Sequence, residues 1–101
     1  EILKLYPEID GIIAANDIVA VAIMKELQRK GKKVPDDIQI IGFDDIILSQ
    51  IMTPELTTIR QQVSEMGKAA VRAVIDHKDK EEKCGEIIFS VDLIKRESTR
   101  N

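Results

Sequence analysis

The chain has 101 residues, a net charge of −3 and 44% hydrophobic residues, values typical of one small globular domain. Aromatic residues make up only 3% and Trp is absent, which excludes a stacking surface for RNA. The acidic balance likewise excludes the basic footprint of a DNA-binding surface. No apolar run approaches the ~18 residues of a membrane-spanning helix. The single cysteine, Cys84, lies in a predicted polar loop at residues 79–85 and fits a reduced, cytoplasmic setting.

The first predicted elements are a helical turn, a buried strand and a helix. Residues 1–5 are typical of the last turn of a helix, so we expect the chain to be a piece of a longer protein. Residues 12–15 form the short apolar run of a strand buried in a parallel sheet. Asn16 has the side chain preferred at an N-cap, and we expect a helix at residues 17–30 that Gly31 ends.

The predicted helix at residues 17–30 is apolar around most of its circumference in its first turns. One stripe has the spacing of a side that faces a core, and it consists of Ala20, Ile23, Met24 and Leu27. The remaining circumference is occupied by Ile18, Val19, Val21 and Ala22. Such a helix is buried on both sides, either by another layer of the same domain or by a partner subunit.

The rest of the chain continues the alternation of strands and helices. Pro35 marks a turn before the second strand. The further predicted elements are strands at 38–43 and 57–59, a short helical segment at 46–51, an amphipathic helix at 63–77, and one or two strands at 86–95. This order predicts the α/β class with a mainly parallel sheet and flanking helices.

The sequence offers no arrangement typical of an enzyme, a metal site or a cofactor site. His77 is the only histidine and has no ligand-spaced neighbour, and the five glycines are isolated from one another. No Ser lies in a nucleophile elbow. An aspartyl-phosphate site would need an acidic pair after the first strand, where Asn16 and Asp17 stand. We therefore expect no catalytic residue, no metal and no cofactor.

Polar side chains follow three predicted strands, namely Asn16, Asp44 and Gln61. In a parallel sheet these positions share one edge, where open α/β sheets bind ligands. Amide and carboxylate groups together supply the donors and acceptors that hold hydroxyl groups. The alternative for each is structural: a helix cap, a turn and a solvated side chain.

Several segments in the right order and spacing resemble the LacI/GalR family of transcriptional repressors. They are Ala15-Asn16-Asp17, Val34-Pro35-Asp36-Asp37-Ile38, Gly42-Phe43-Asp44-Asp45, Leu56-Thr57-Thr58-Ile59-Arg60-Gln61, Met66-Gly67 and Arg96-Glu97-Ser98-Thr99-Arg100. The resemblance implies the C-terminal part of an effector-binding core with a periplasmic binding protein-like (type I) fold, built from Rossmann-like subdomains. It implies a sugar-like small-molecule effector, a homodimer, and operator DNA bound through an N-terminal domain that this chain lacks.

The resemblance also implies roles for individual residues. The effector-binding positions would be Asn16, Asp44, Gln61, Val63 and Met66. The dimer interface would include Val19, Val21, Met24, Ile51 and Met52.

The same resemblance implies a division of the chain. Residues 1–60 and the return segment 91–101 would belong to the C-terminal effector subdomain, and residues 61–90 to the N-terminal one. The apolar stripe of the helix at 63–77 would then lack its usual cover. The main alternative function is a solute-binding protein of a sugar ABC transporter, which shares the fold.

Overall fold

The computed structural model describes residues 1–78 and 85–101. Cys84 and most of the predicted polar loop lie outside the described residues. The elements are α1 (Ile2–Leu5), β1 (Gly11–Ile13), α2 (Asp17–Arg29), β2 (Gln39–Phe43), α3 (Leu48–Ile51), β3 (Thr57–Arg60), α4 (Val63–His77) and β4 (Asp92–Ile94). The predicted α/β class and the helices are confirmed, with their bounds shifted by at most two residues.

Backbone contacts divide the chain into two compact units. Unit 1 comprises Glu1–Arg60 and Asp92–Asn101, and unit 2 comprises Gln61–Val91. Unit 1 contains the whole sheet, in the order β1-β2-β3-β4. The first three strands are parallel and β4 is antiparallel to β3. The carboxyl ends of β1, β2 and β3 therefore lie at one edge.

The core of unit 1 lies between the sheet and α2. Its fully or nearly fully buried apolar side chains are Ala14, Ala20, Met24, Leu27, Ile38, Ile40 and Leu56. Three of these belong to the predicted stripe of α2, and Ile23 of that stripe packs against the cluster. Burial of this stripe is the main reason why α2 is stable against the sheet.

Unit 2 is organised differently, because α4 has no buried residue. Its apolar side chains are largely exposed; Val63 is 66% and Val74 69% accessible. Gln62, before the first turn of α4, donates from Nε2 to the Ser90 carbonyl at 3.1 Å and to the Ser90 hydroxyl at 2.9 Å. These bonds connect the start of α4 to the segment before β4.

Of the one or two strands predicted at residues 86–95, one is confirmed as β4, and the part of that range before β4 is not a strand. Residues 85–91 have no regular secondary structure, and β4 begins only at Asp92. Ile87 and Ile88 are 62% and 84% accessible, so their β-forming side chains have no packed surface to cover. A strand needs a neighbour for its backbone groups, and the sheet in the described chain lies wholly in unit 1.

Across residues 1–78 and 85–101, the helices all fall short of the length and apolar character needed to cross a membrane.

Candidate functional site

Asn16 lies at the carboxyl end of β1, where it forms the N-cap of α2. Its backbone is extended, and its Oδ1 accepts a hydrogen bond from the Val19 N–H at 2.9 Å. The predicted structural role as a cap is therefore confirmed. The cap uses the side-chain oxygen, whereas the Nδ2 group supplies separate hydrogen-bond donors on the same half-buried side chain.

Asp44 and Asp45 form a turn at the carboxyl end of β2, called here the 44–45 turn. Both have positive φ angles, 114° for Asp44 and 54° for Asp45. Residues other than glycine adopt such angles at a cost on the order of 1 kcal/mol each, and they concentrate at functional sites. The Asp44 N–H continues the ladder by donating to the Ile59 carbonyl at 2.9 Å. Surrounding contacts must therefore hold this turn in its unusual conformation.

The carboxylate of Asp45 provides much of that support. Its Oδ2 lies 2.6 Å from Nε of Arg60, and its Oδ1 lies 2.8 Å from a terminal guanidinium nitrogen of Arg96. The Ser49 hydroxyl donates to Oδ1 at 3.0 Å. We call these four residues the Asp45 cluster. The Asp45 side chain is only 4% accessible, so these are contacts of a buried charge.

The electrostatics of the Asp45 cluster keep the carboxylate ionised. Burial raises the pKa of Asp45, but hydrogen bonds from Arg60, Arg96 and Ser49 outweigh this effect. The pKa therefore lies below its ordinary value of 3.8. Arg96 is itself fixed, because one terminal nitrogen also donates to the Leu56 carbonyl at 3.0 Å and to the Ser49 hydroxyl at 2.9 Å.

A second buried carboxylate, Asp17, supports the other side of the same turn. It is fully buried at the start of α2. Its Oδ1 accepts from the Thr58 hydroxyl at 2.5 Å, and its Oδ2 accepts from the Ile46 N–H at 2.8 Å. Gly42 faces the same carboxylate, and any Cβ at this position would collide with Asp17 and with a methyl group of Leu56. The glycine of the Gly-Phe-Asp-Asp motif is therefore required by close packing.

Ser98 and Thr99 of the C-terminal motif at residues 96–100 form hydrogen bonds near the amino ends of β2 and β3. The buried hydroxyl of Ser98 accepts from the Thr57 N–H at 2.8 Å and donates to the Ile40 carbonyl at 2.6 Å. The hydroxyls of Thr57 and Thr99 lie 2.8 Å apart. These bonds explain why small hydroxyl side chains stand where they do, and they assign a structural role to this part of the motif.

The other three predicted effector-binding residues lie in unit 2. Gln61 directly follows the last residue of β3 and is half-buried. Val63 is the first residue of α4, and Met66 lies three positions further along and is 38% accessible. The alternative for Gln61 was a solvated side chain, whereas the residue is only partly accessible to solvent.

Four of the five predicted interface residues are at least partly accessible, and one is buried. Val19 and Ile51 are exposed apolar side chains, 41% and 70% accessible, and Val21 and Met52 are half-buried. Met24 differs, since its side chain is fully buried in the core of unit 1 and offers no surface to a partner. Its assignment to the interface is therefore corrected: α2 directs Met24 to the same side as Ala20 and Leu27.

The sequence did not identify the Asp45 cluster or the Asp17–Thr58 pair as parts of one site. Ser49 is four positions from Asp45, but the other partners are 15 to 51 positions apart in the chain, so no local spacing signals them. The one signal in the sequence was that several of these residues belong to the segments that resemble the LacI/GalR family, where they had been given no role. Among the described residues, no group of His, Cys, Asp and Glu side chains has the arrangement of a metal site.

Comparison with known proteins identifies relatives over almost the whole chain. Residues 1–99 match the family model described as a periplasmic binding protein-like domain. The ribose operon repressor of Bacillus subtilis is 49% identical over 75 residues, which is 74% of this chain and 23% of that protein. The chain spans about a quarter to a third of the length of the curated relatives that it matches.

Solved structures agree with the sequence comparison. A LacI family regulator from Arthrobacter sp. FB24 in complex with lactose has a TM-score of 0.82 at 34% identity, over 98% of this chain and 38% of that chain. A LacI family regulator from Enterococcus faecium with bound ribose has a TM-score of 0.77 at 34% identity, over 88% of this chain and 34% of that chain.

Proposed function

We infer function from the premise that this chain belongs to the periplasmic binding protein-like domain family, in the form found in LacI-family transcriptional regulators. We propose that it is the C-terminal part of the ligand-sensing and dimerisation core of a bacterial repressor. The effector is a small sugar or a related metabolite. Its binding allosterically controls the affinity for operator DNA, which a domain outside this chain reads.

The observation that carries this proposal is the polar edge of unit 1. Asn16 and Asp44 follow the neighbouring parallel strands β1 and β2, and the backbone at Asp44 has the positive φ angle typical of ligand-binding turns. We propose that the Asn16 amide and the Asp44 carboxylate hydrogen-bond effector hydroxyl groups. A carboxylate accepts two hydroxyl hydrogens well, which favours a polyol ligand.

We further propose that Gln61, Val63 and Met66 complete the effector-binding positions from the other subdomain. In this arrangement residues 1–60 and 91–101 belong to the C-terminal effector subdomain, and residues 61–90 to the N-terminal one. The separation of the chain into two units at nearly these boundaries supports the arrangement. The exposed stripe of α4 agrees with a cover supplied by parts of the protein beyond this chain.

We propose that the regulator is a homodimer through α2 and α3. These helices contact each other, and Gln28 of α2 donates from Nε2 to the Thr53 carbonyl just after α3 at 3.2 Å. Both present exposed apolar side chains, including Ile18, Val19 and Ile51. The interface positions are Val19, Val21, Ile51 and Met52, without Met24.

The relatives favour a regulator over the other functions considered. Those reported above are transcriptional regulators, so a transporter solute-binding protein is not favoured. We propose no catalytic role, and we place the regulator in the cytoplasm, where operator DNA lies.

The test is a thermal-shift measurement on the full-length regulator that contains this chain, with D-ribose and lactose as the first probes. A ligand that binds only the folded state raises the melting temperature by mass action. We expect a selective shift with a sugar, and the same sugar should change the affinity for operator DNA. A regulator that binds its operator but shows no shift with any sugar in an extended panel would contradict the proposed effector class.

A further inference from the structure

The 44–45 turn is fixed by three consecutive residues that contact three different parts of unit 1. The Asp44 N–H donates to Ile59 of β3 at 2.9 Å. The Asp45 carboxylate pairs with Arg60 at the end of β3 and with Arg96 beyond β4. The Ile46 N–H donates to Asp17 at the start of α2 at 2.8 Å.

The Asp45 cluster contributes contacts made by a side chain of the turn itself. The φ angle of 54° at Asp45 lies in the left-handed region, which costs a residue other than glycine free energy that surrounding contacts can offset. The cluster supplies this support as charge-assisted hydrogen bonds, at 2.6 Å from Arg60 and 2.8 Å from Arg96. Asp45 is turned into the protein and 4% accessible, so its role is not contact with solvent or with a ligand at the surface.

We propose that Asp45 is a positioning residue. Arg60 and Arg96 hold its carboxylate, and Asp45 thereby fixes the backbone conformation from which Asp44 reaches the effector. This inference rests on the proposed function, because it assumes that Asp44 contacts the effector. Asp45 acts only through Asp44. Removing its charge therefore weakens effector binding without removing any contact to the effector.

The two arginines contribute unequally to this positioning. Arg96 is 11% accessible and also donates to Ser49 and to the Leu56 carbonyl, so its planar guanidinium cannot be replaced by lysine. Arg60 is 52% accessible, and its Nε contacts only the Oδ2 of Asp45 among the bonds described. Arg60 is therefore the residue whose removal tests positioning with the smaller effect on folding.

The experiment is a double-mutant cycle in the full-length regulator, with the probe sugar that gives the larger thermal shift of D-ribose and lactose. The variants are Asp45→Asn, Asp44→Ala and the pair, with effector affinity measured by calorimetry. We expect Asp45→Asn to weaken binding about tenfold in the wild-type background and less than about twofold when Asp44 is already Ala. A residue that touches the effector, or that acts only on global stability, would show the same loss in both backgrounds.

Each outcome decides a different claim. If Asp45→Asn is folded and binds the sugar as tightly as wild type, the positioning role is overturned while the effector role of Asp44 stands. If Asp44→Ala itself binds normally, the proposed effector site fails, and this inference fails with it. An equal loss in both backgrounds also overturns the inference.

A second variant and a ligand-free measurement cover the case in which Asp45→Asn does not fold. Arg60→Ala should then give the same pattern in the cycle. Its matched control is Arg29→Ala. This variant also breaks an ion pair of an exposed arginine, but the partner, Glu26, is itself exposed, whereas Asp45 is buried. Amide hydrogen exchange of residues 43–46 should accelerate in Arg60→Ala and not in Arg29→Ala. Unchanged exchange and unchanged affinity in Arg60→Ala would overturn the proposal.

Discussion

Units 1 and 2 each contain a long amphipathic helix, yet only one of these helices is packed. The stripe of α2 is buried against the sheet, with Met24 fully inaccessible, whereas α4 has no buried residue. Each helix has an apolar stripe at helical spacing in the sequence. The difference shows that an amphipathic pattern specifies a helix and its apolar side but does not supply the surface that covers it.

The largest contrast is expected between two methionines, one from each unit. Met24→Ala should lower the free energy of unfolding of the 101-residue chain by about 3 kcal/mol, because it leaves a cavity in a closed core. Met66→Ala, at a side chain that is 38% accessible on α4, should change it by less than ~0.5 kcal/mol. Urea unfolding followed by circular dichroism measures both. Equal losses would show that α4 is packed in solution and would break the comparison.

Two glycines, one from each unit, should give effects of opposite sign, neither as large as that of Met24→Ala. Gly42→Ala should destabilise the chain by about 2 kcal/mol, since the new methyl group meets the Asp17 carboxylate and Leu56. Gly67→Ala places its methyl group in open space on α4 and should stabilise that helix by ~0.5 to 1 kcal/mol. The readouts are urea unfolding for the first variant and helical content for the second. A destabilising Gly67→Ala would reveal a surface in contact with α4.

The smallest expected effect is a pH dependence confined to unit 1. The folded-state pKa of Asp45 lies below 3.8, so its ion pairs contribute full stability above that value and lose it as the pH falls through the lower, folded pKa. The groups that face it are Arg60, Arg96 and Ser49. The stability difference between wild type and Asp45→Asn should therefore be constant from pH 5 to 8 and shrink below about pH 4. A difference that shrinks between pH 7 and 5 would show a raised pKa instead.

Local signals were sufficient for most elements of the fold. Asn16 caps α2 as its side chain predicted, and Gly31 follows the end of that helix with a φ of 75°. Which part of residues 86–95 forms a strand was not predictable in the same way, because a strand depends on a neighbouring strand. Spacing placed Met24 in the core stripe and the family resemblance placed it at the dimer interface, and only packing against the sheet decides between them.

The positions of the candidate site were predictable from the sequence, but the contacts that hold them were not. Strand ends could be located from apolar runs, which placed Asn16 and Asp44 at one edge of the sheet. The contacts that hold the 44–45 turn join residues far apart in sequence, such as Asp45 and Arg96 or Asp17 and Thr58. Their pairing is a property of the folded sheet, so the sequence supplied the residues without their roles.

The most direct test of the central claim is the effector affinity of Asp44→Ala against its matched control Asp36→Ala in the full-length regulator. Both variants remove one carboxylate, Asp44 after the carboxyl end of β2 and Asp36 before its amino end. Loss of a charged hydrogen-bond partner should weaken binding of the probe sugar roughly 10- to 100-fold for Asp44→Ala. Asp36→Ala should bind as wild type does. Unchanged affinity in Asp44→Ala, or an equal loss in both variants, would contradict an effector site at this edge of the sheet.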